Sequence, residues 1–252
     1  MENSAILSMN TISKYFPGVR ALSQVNFSLH KGEIHALMGQ NGAGKSTLIK
    51  IMTGVYQPDS GYITLRGEKI KVESPEHAQT LGIATVYQEV NLCPNLTVAE
   101  NLLLGREPRN RFGIAWKRLF TDARALLKEK LDLDLDTTKP LGTYSLAIQQ
   151  MIAIARSLCV SSEILILDEP TSSLDEAEVE RLFKILHKLK NEGMAILFIT
   201  HFIDQVYAVS DRITVLRNGE YIGTSEASAL SKLDLISMMV GKDPAELAAS
   251  ST

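Results

Sequence analysis

Two short stretches carry residue types that can do phosphate chemistry. The first is Gly39-Gln40-Asn41-Gly42-Ala43-Gly44-Lys45-Ser46-Thr47, which fits the pattern G-x-x-x-x-G-K-[ST]. Glycines let backbone N–H groups turn inward on phosphate oxygens, and the N-terminus of a following helix adds positive potential. Lys45 would then reach the β- and γ-phosphates of a nucleotide, and Ser46 would offer its hydroxyl to Mg2+. The second stretch is Ile164-Leu165-Ile166-Leu167-Asp168-Glu169-Pro170, an apolar run ending in two carboxylates. A strand of that kind delivers both acids to the C-terminal edge of an open α/β sheet, where ligands sit. Asp168 would hold the Mg2+ shell, and Glu169 would polarise an attacking water as general base. Taken singly, the first stretch could be a glycine turn before a helix and the second a pair of capping acids before Thr171–Asp175. Together in one chain they favour phosphate chemistry.

These residues need a scaffold, and the hydrophobic pattern predicts one. Ile34–Met38 is a buried strand that stops at Gly39, with a helix over Thr47–Thr53 after the loop. Tyr62–Leu65 and Lys69–Val72 read as a hairpin about Arg66-Gly67-Glu68, and Ile83–Tyr87 as another strand. The middle of the chain turns helical. Thr97-Val98-Ala99-Glu100 fits a capping box, Asn101–Leu104 continues that helix and Gly105 can end it. Residues 106–120 read as a loop leading to a helix near Thr121–Leu131, and Ile148–Cys159 is a further helix. The last third alternates: strands at Ile164–Leu167, Ala195–Thr200 and Ile213–Leu216, and a turn at Asn218-Gly219. An amphipathic helix covers Glu176–Lys190, with Val179, Leu182, Phe183, Leu186 and Leu189 at helical spacing. Leu233–Val240 is a short terminal helix. The fold class that follows is α/β: a P-loop core with a parallel sheet, an antiparallel β flank and a helical subdomain.

Composition bounds the reading. The chain has 252 residues, 45% hydrophobic and 22% charged, with 26 Lys+Arg against 29 Asp+Glu and a net charge of −3. Such values exclude disorder and collagen-like structure, and they do not imply a nucleic-acid partner. Cys93 and Cys159 have no metal-ligand spacing, which fits a reducing compartment. The start of the chain does not read as a signal peptide, and its apolar runs are too short to span a bilayer.

On these motifs the chain resembles the ATP-binding subunit of ATP-binding cassette transporters. Gln88 follows its strand as the family's Q-loop glutamine does, a position that also touches Mg2+. Ser173-Leu174-Asp175 matches the D-loop, which puts Asp175 at the nucleotide. His201, after Ala195–Thr200, matches the switch histidine that senses the γ-phosphate. Phe16, in preference to Tyr15, stands where the family stacks an aromatic on adenine. His30, His35, His77 and His187 have no motif context and read as structural or surface residues. The family signature L-S-G-G-Q is altered here to Tyr144-Ser145-Leu146-Ala147-Ile148-Gln149-Gln150. Ser145 keeps the hydroxyl that, in the family, closes in trans over the partner's ATP. Losing a glycine restricts the backbone, so this signature is expected to serve a partner site poorly. The competing reading makes the segment a plain helix entry.

The altered signature, with Phe16-Pro17-Gly18-Val19-Arg20-Ala21-Leu22 and Thr85-Val86-Tyr87-Gln88-Glu89, is similar to bacterial importers of ribose, galactose and related monosaccharides. Those carry two cassettes in one polypeptide, and the later motifs look most like a galactofuranose importer. The resemblance implies Mg-ATP hydrolysis driving sugar import at the cytoplasmic face of the cell membrane, as a peripheral subunit. Its implied partners are a second cassette, membrane permease subunits and, indirectly, a periplasmic sugar-binding protein, with no nucleic acid. It also implies one nucleotide-binding domain over 1–242 with a helical subdomain at about 89–160, and a tail or linker at 243–252. Residues 89–107 are candidates for the permease surface. The cations Arg106, Arg109, Arg111, Lys117 and Arg118 could join them or form a solvated face. The alternative function is a soluble cassette ATPase of translation or DNA repair, which works without a permease.

Overall fold

The computed structural model describes residues 5–87, 92–159 and 162–243. Two long antiparallel strands open it, β1 (Leu7–Phe16) and β2 (Val19–Leu29), joined by a tight turn at Pro17-Gly18. β3 (Ile34–Met38) is buried at every residue and leads through the glycine loop into α1 (Lys45–Met52). The expected hairpin is present as β4 (Ser60–Leu65) and β5 (Glu68–Ile70). Its turn places Arg66 and Gly67 at φ 53° and 83°. α2 (Pro75–Thr80) escapes a periodicity reading because it is less than two turns long. Its start is nonetheless signalled by Ser74, whose Oγ accepts the His77 N–H, and by proline in the first turn. β6 (Ile83–Val86) follows.

α3 (Val98–Leu103) begins with the expected capping box. Thr97 Oγ1 accepts the Glu100 N–H at 3.2 Å, and the Glu100 carboxylate accepts the Thr97 N–H at 2.8 Å. The stretch at 106–120 differs from expectation. It holds a small hairpin, β7 (Arg109–Asn110) with β8 (Gly113–Ile114), and α4 starts early, spanning Trp116–Leu131. Leu119, Ala123, Leu127 and Leu131 form one buried stripe every four residues, so packing extends the helix N-terminally past Thr121. α5 (Leu146–Leu158) starts two residues before the expected Ile148, because Ser145 caps it.

The last third holds the expected β9 (Ile164–Asp168), α6 (Glu176–Asn191) and β10 (Ala195–Ile199), then adds a short helix beyond those expected, α7 (Ile203–Val209). The expected β11 (Arg212–Arg217) follows, with β12 (Glu220–Glu226) after the expected turn, and then the expected terminal helix, α8 (Lys232–Val240). Asn218 and Gly219, both at positive φ, make the β11–β12 turn.

Among the described residues one ten-stranded sheet has the order β5-β4-β1-β2-β12-β11-β3-β10-β9-β6. β11, β3, β10, β9 and β6 run parallel, and β1, β2, β4 and β5 form an antiparallel flank. The parallel strands are buried on both faces, which is why they read as unbroken apolar runs. On β9, Leu165 and Leu167 face a core built with α3, α4, α5 and α6, whereas Ile164 and Ile166 face a core shared with α1, β1 and β2. β10 divides in the same way, Ile196 and Phe198 against Ala195, Leu197 and Ile199. A third cluster packs α7 and α8 on β11 and on Ala36 and Met38 of β3.

Candidate functional site

The topology explains why distant residues meet. β3, β9 and β10 are parallel neighbours, and in register Ile199 lies beside Asp168 and Phe198 beside Ala36. The glycine loop, the acid pair and His201 therefore all leave the sheet at one C-terminal edge. That edge is where open α/β sheets present their ligand sites.

The glycine loop is built for close backbone approach. Gly39 has φ 152°, and a Cβ there would stand 2.3 Å from the Leu216 carbonyl oxygen. Ala43 is buried, and its carbonyl accepts the Gly219 N–H at 3.1 Å, so the β11–β12 turn braces the loop from behind. α1 starts at Lys45 after Gly44, whose position makes no side-chain cap. The first N–H groups of such a helix have no intrahelical acceptor and suit an anion. Gln40, Asn41, Gly42 and Ser46 are exposed, and Thr47 is half-buried. The Lys45 ammonium donates to the carbonyls of Gly39 at 2.7 Å and Gln40 at 3.1 Å, curled over the loop. Burial lowers its pKa, while the charges of Glu169 and Asp168 pull it back up.

The acid pair lies near enough for its charges to act on Lys45. Burial raises the Asp168 pKa, and the neighbouring Glu169 carboxylate raises it further against the pull of Lys45 and Lys50. Glu169 adopts φ 51°, the left-handed region that a side chain rarely enters, and its N–H donates to the Ile199 carbonyl at 2.9 Å. That strained turn aims its carboxylate across to the next strand's end. There Glu169 Oε2 lies 2.8 Å from His201 Nδ1. Behind the pair, Thr171 Oγ1 donates to Gln205 Oε1 at 2.6 Å, tying the segment after Glu169 to α7. Local sequence carries no signal for Gln205, and it marks Gly219 only as a turn residue, not as a brace for the glycine loop.

The remaining expected residues are placed as follows. Phe16 ends β1 half-buried, its ring edge-on to Tyr56 with centroids 5.2 Å apart and the Lys14 ammonium 5.6 Å from its centroid. Tyr15 is exposed, with Arg20 over its ring. Asp175 caps α6: its Oδ1 accepts the Glu178 N–H at 2.8 Å. Ser145 is exposed and caps α5, its Oγ accepting the Ile148 N–H at 3.4 Å and donating to Glu178 Oε1 at 3.3 Å. The altered signature is thus a helix entry that also keeps its hydroxyl at the surface. Leu146, in a glycine's place, is 58% exposed, whereas Ala147 is buried. Gln88 lies outside the described residues. His35 has the structural role expected of it: fully buried, it contacts Glu33 and Thr214.

A site of this composition offers backbone N–H groups and an ammonium to an anion. Beside them it offers a hydroxyl and a carboxylate of the kind that hold Mg2+ through substrate phosphates. Asp168 and Glu169 repel each other as carboxylates, a repulsion that a bound cation would relieve.

Comparison with known proteins identifies the family. A sequence profile of the ABC transporter family matches residues 22–172. The chain is 51% identical over 242 residues to the galactofuranose transporter ATP-binding protein YtfR of Escherichia coli (strain K12), covering 96% of this chain and 48% of that protein. It is 48% identical to the fructose import ATP-binding protein FruK of Bifidobacterium longum, covering 98% of this chain and 48% of the relative. The chain therefore spans about half the length of the curated relatives it matches. Among solved structures, an ATP-binding cassette of an ABC transporter in its ADP conformation superposes with a TM-score of 0.81 at 26% identity, covering 98% and 99% of the two chains. A dimeric cassette in a post-hydrolysis state, bound to ADP and Pi, superposes at 0.73 and 27% identity over 89% of this chain and 100% of that one. By fold and by these relatives, the chain belongs to the ABC transporter family and has its ATP-binding cassette fold.

Proposed function

We propose that this chain binds and hydrolyses Mg-ATP to energise import of a monosaccharide, of galactofuranose type, through a membrane permease. The observation that carries this reading is the Glu169–His201 pair, 2.8 Å apart, beside Lys45 and Asp168 at one sheet edge. In this reading Gly39–Thr47 wraps the phosphates and Lys45 swings from its loop carbonyls to the β- and γ-phosphates. Phe16 stacks on the adenine. Glu169 accepts the proton of the attacking water, and His201, hydrogen-bonded to Glu169, orients that carboxylate and contacts the γ-phosphate. Ser46 and Asp168, with Gln88, would hold Mg2+, whose charge would offset that of the phosphate oxygens. Most of the catalysis is positioning and charge stabilisation.

The same reading makes residues 1–242 one nucleotide-binding domain, with 89–160 its helical part and 243–252 a tail. It sits at the cytoplasmic face of the membrane against permease subunits, which receive sugar from a periplasmic binding protein. A second cassette faces it, supplying a signature serine to this site and receiving Ser145 at its own, with Asp175 at the seam. Support comes from relatives named for galactofuranose and fructose import and about twice this chain's length, and from the dimeric cassette it resembles.

The test is ATP turnover as a function of protein concentration, with Glu169→Gln as blank. A rate rising with the square of concentration means two copies complete each other's sites. A flat, near-blank rate with intact ATP binding means another cassette completes the site. Failure to bind ATP, or unchanged binding in Lys45→Ala, overturns the reading.

A further inference from the structure

We propose that the β7–β8 hairpin and the first turn of α4 rest on the anionic headgroups of a lipid bilayer, giving the chain a membrane contact of its own. The hairpin is a two-residue loop, Arg111-Phe112, between the paired Asn110 and Gly113. Asn110 Oδ1 accepts the Phe112 N–H at 2.8 Å, and the Pro108 carbonyl accepts the Ala115 N–H at 2.7 Å, so the tip is held by its own bonds. At that tip Phe112 is 89% exposed, the most exposed large apolar side chain among the described residues. Trp116, the first residue of α4, is 47% exposed and its ring rests 6.2 Å from that of Phe120, while Leu119 in the same turn anchors α4 in the core.

Charge sets the partner's chemistry. Residues 104–118 carry five cations, Arg106, Arg109, Arg111, Lys117 and Arg118, and one carboxylate, a net charge of +4 in a chain whose net charge is −3. The carboxylates facing them are few. Glu107 accepts the Gly105 N–H and lies near Arg109, and Asp122 pairs with Arg118 at 3.3 Å. The Arg111 guanidinium lies 6.0 Å from the Phe112 ring centroid. An exposed ring at a hydrogen-bonded tip, a tryptophan behind it and flanking cations match the interfacial zone of a bilayer. Aromatic rings settle at headgroup depth there, and Lys and Arg are drawn to anionic lipid. The helices among the described residues are too short or too polar to cross a membrane, so the contact is interfacial.

The inference rests on the proposed work at a membrane but not on the nucleotide site, and its experiment separates the two. Trp116 is the single tryptophan of the chain, so its emission reports the patch directly. The full chain is mixed with vesicles of phosphatidylcholine alone or with phosphatidylglycerol added, then followed by co-sedimentation and fluorescence. ATP binding is measured on the same samples. The expected result is binding to the anionic vesicles only, with a blue shift of Trp116 emission that high salt reverses. Arg109→Glu with Arg111→Glu weakens it about tenfold or more, and Phe112→Ser weakens it and reduces the shift, with ATP binding unchanged in both. Equal binding to neutral and anionic vesicles, no binding by a chain that still binds ATP, or undiminished binding by the charge-reversed variant overturns the proposal. Capture of the hairpin by permease protein without vesicle binding overturns it in favour of a protein partner.

Discussion

Lys45, Asp168 and Glu169 show how a site can be costly to its own fold. Burial lowers the Lys45 pKa and raises that of Asp168, and Glu169 holds a left-handed backbone. A carboxyl whose folded pKa lies above its unfolded value costs stability once pH exceeds the unfolded value, and that cost disappears as pH falls through it. Asp168→Asn should therefore raise stability at neutral pH, by about 1 kcal/mol, while impairing Mg-ATP binding. Chemical denaturation of the nucleotide-free protein, paired with nucleotide titration, checks both halves; a destabilised Asn variant would show that the carboxylate is not strained. For Glu169→Gln the expected outcome is retained ATP binding with turnover slower by about 10²–10⁴-fold. A rate near that of the unsubstituted chain removes Glu169 as base. Both stretches were legible as phosphate chemistry because a glycine loop and an acid pair are local patterns. The strain on them was not, because it arises from how strand ends crowd together.

At the scale of elements, the glycine loop depends on a turn nearly 180 residues away. The Leu216 carbonyl blocks any Cβ at Gly39, whereas a Cβ at Gly42 (φ 81°) would meet open space. Gly39→Ala should cost about 3 kcal/mol, combining clash and backbone strain, and Gly42→Ala about 1 kcal/mol from backbone strain alone. Thermal midpoints of the two variants decide it, and equal losses would mean that the β11–β12 turn yields readily. The α3 capping box was visible as Thr97 and Glu100, since its bonds span one turn. The early start of α4 was not, because the burial of Leu119 is tertiary and overrides a loop-like composition of Arg, Pro and Gly. In the altered signature, Ser145 and Glu178 join α5 to α6, a pairing that local periodicity cannot register.

For the molecule as a whole, a buried polar cluster ties the start of β3 to β11 and β12. Glu33 contacts His35 and Arg212, His35 continues to Thr214, and Thr214 lies 2.6 Å from Thr224. Burial alone would raise the Glu33 pKa. The His35 bond, the charge of Arg212 and the His30 N–H outweigh burial and hold it at about 2, down from 4.5. His35 is pushed down from 6.5 by burial, against the pull of Glu33. The unfolded chain then takes up protons first: at His35 below about pH 6.5, and at Glu33 as pH falls from 4.5 toward 2. Both contributions remove stability on acidification, Glu33 by roughly 3 kcal/mol at most. Urea midpoints measured against pH should fall below neutrality, and Glu33→Gln should flatten the portion below pH 4.5. An unchanged profile in that variant would place the acid sensitivity elsewhere.

By itself the sequence determined the chemistry on offer: the Gly39–Thr47 loop, the Asp168–Glu169 pair at a strand end, and most of the strands and helices around them. Each is written within a few residues, where backbone conformation and hydrophobic period are local properties. Only the tertiary structure decided that His201 meets Glu169, that Gly219 braces Ala43, that Phe16 packs on Tyr56, and that Phe112 stands out on a basic hairpin. Parallel strands are joined by crossovers through whole helices, so residues far apart in the chain become neighbours at one sheet edge. That proximity is set by sheet order and register, which no stretch of sequence holds alone.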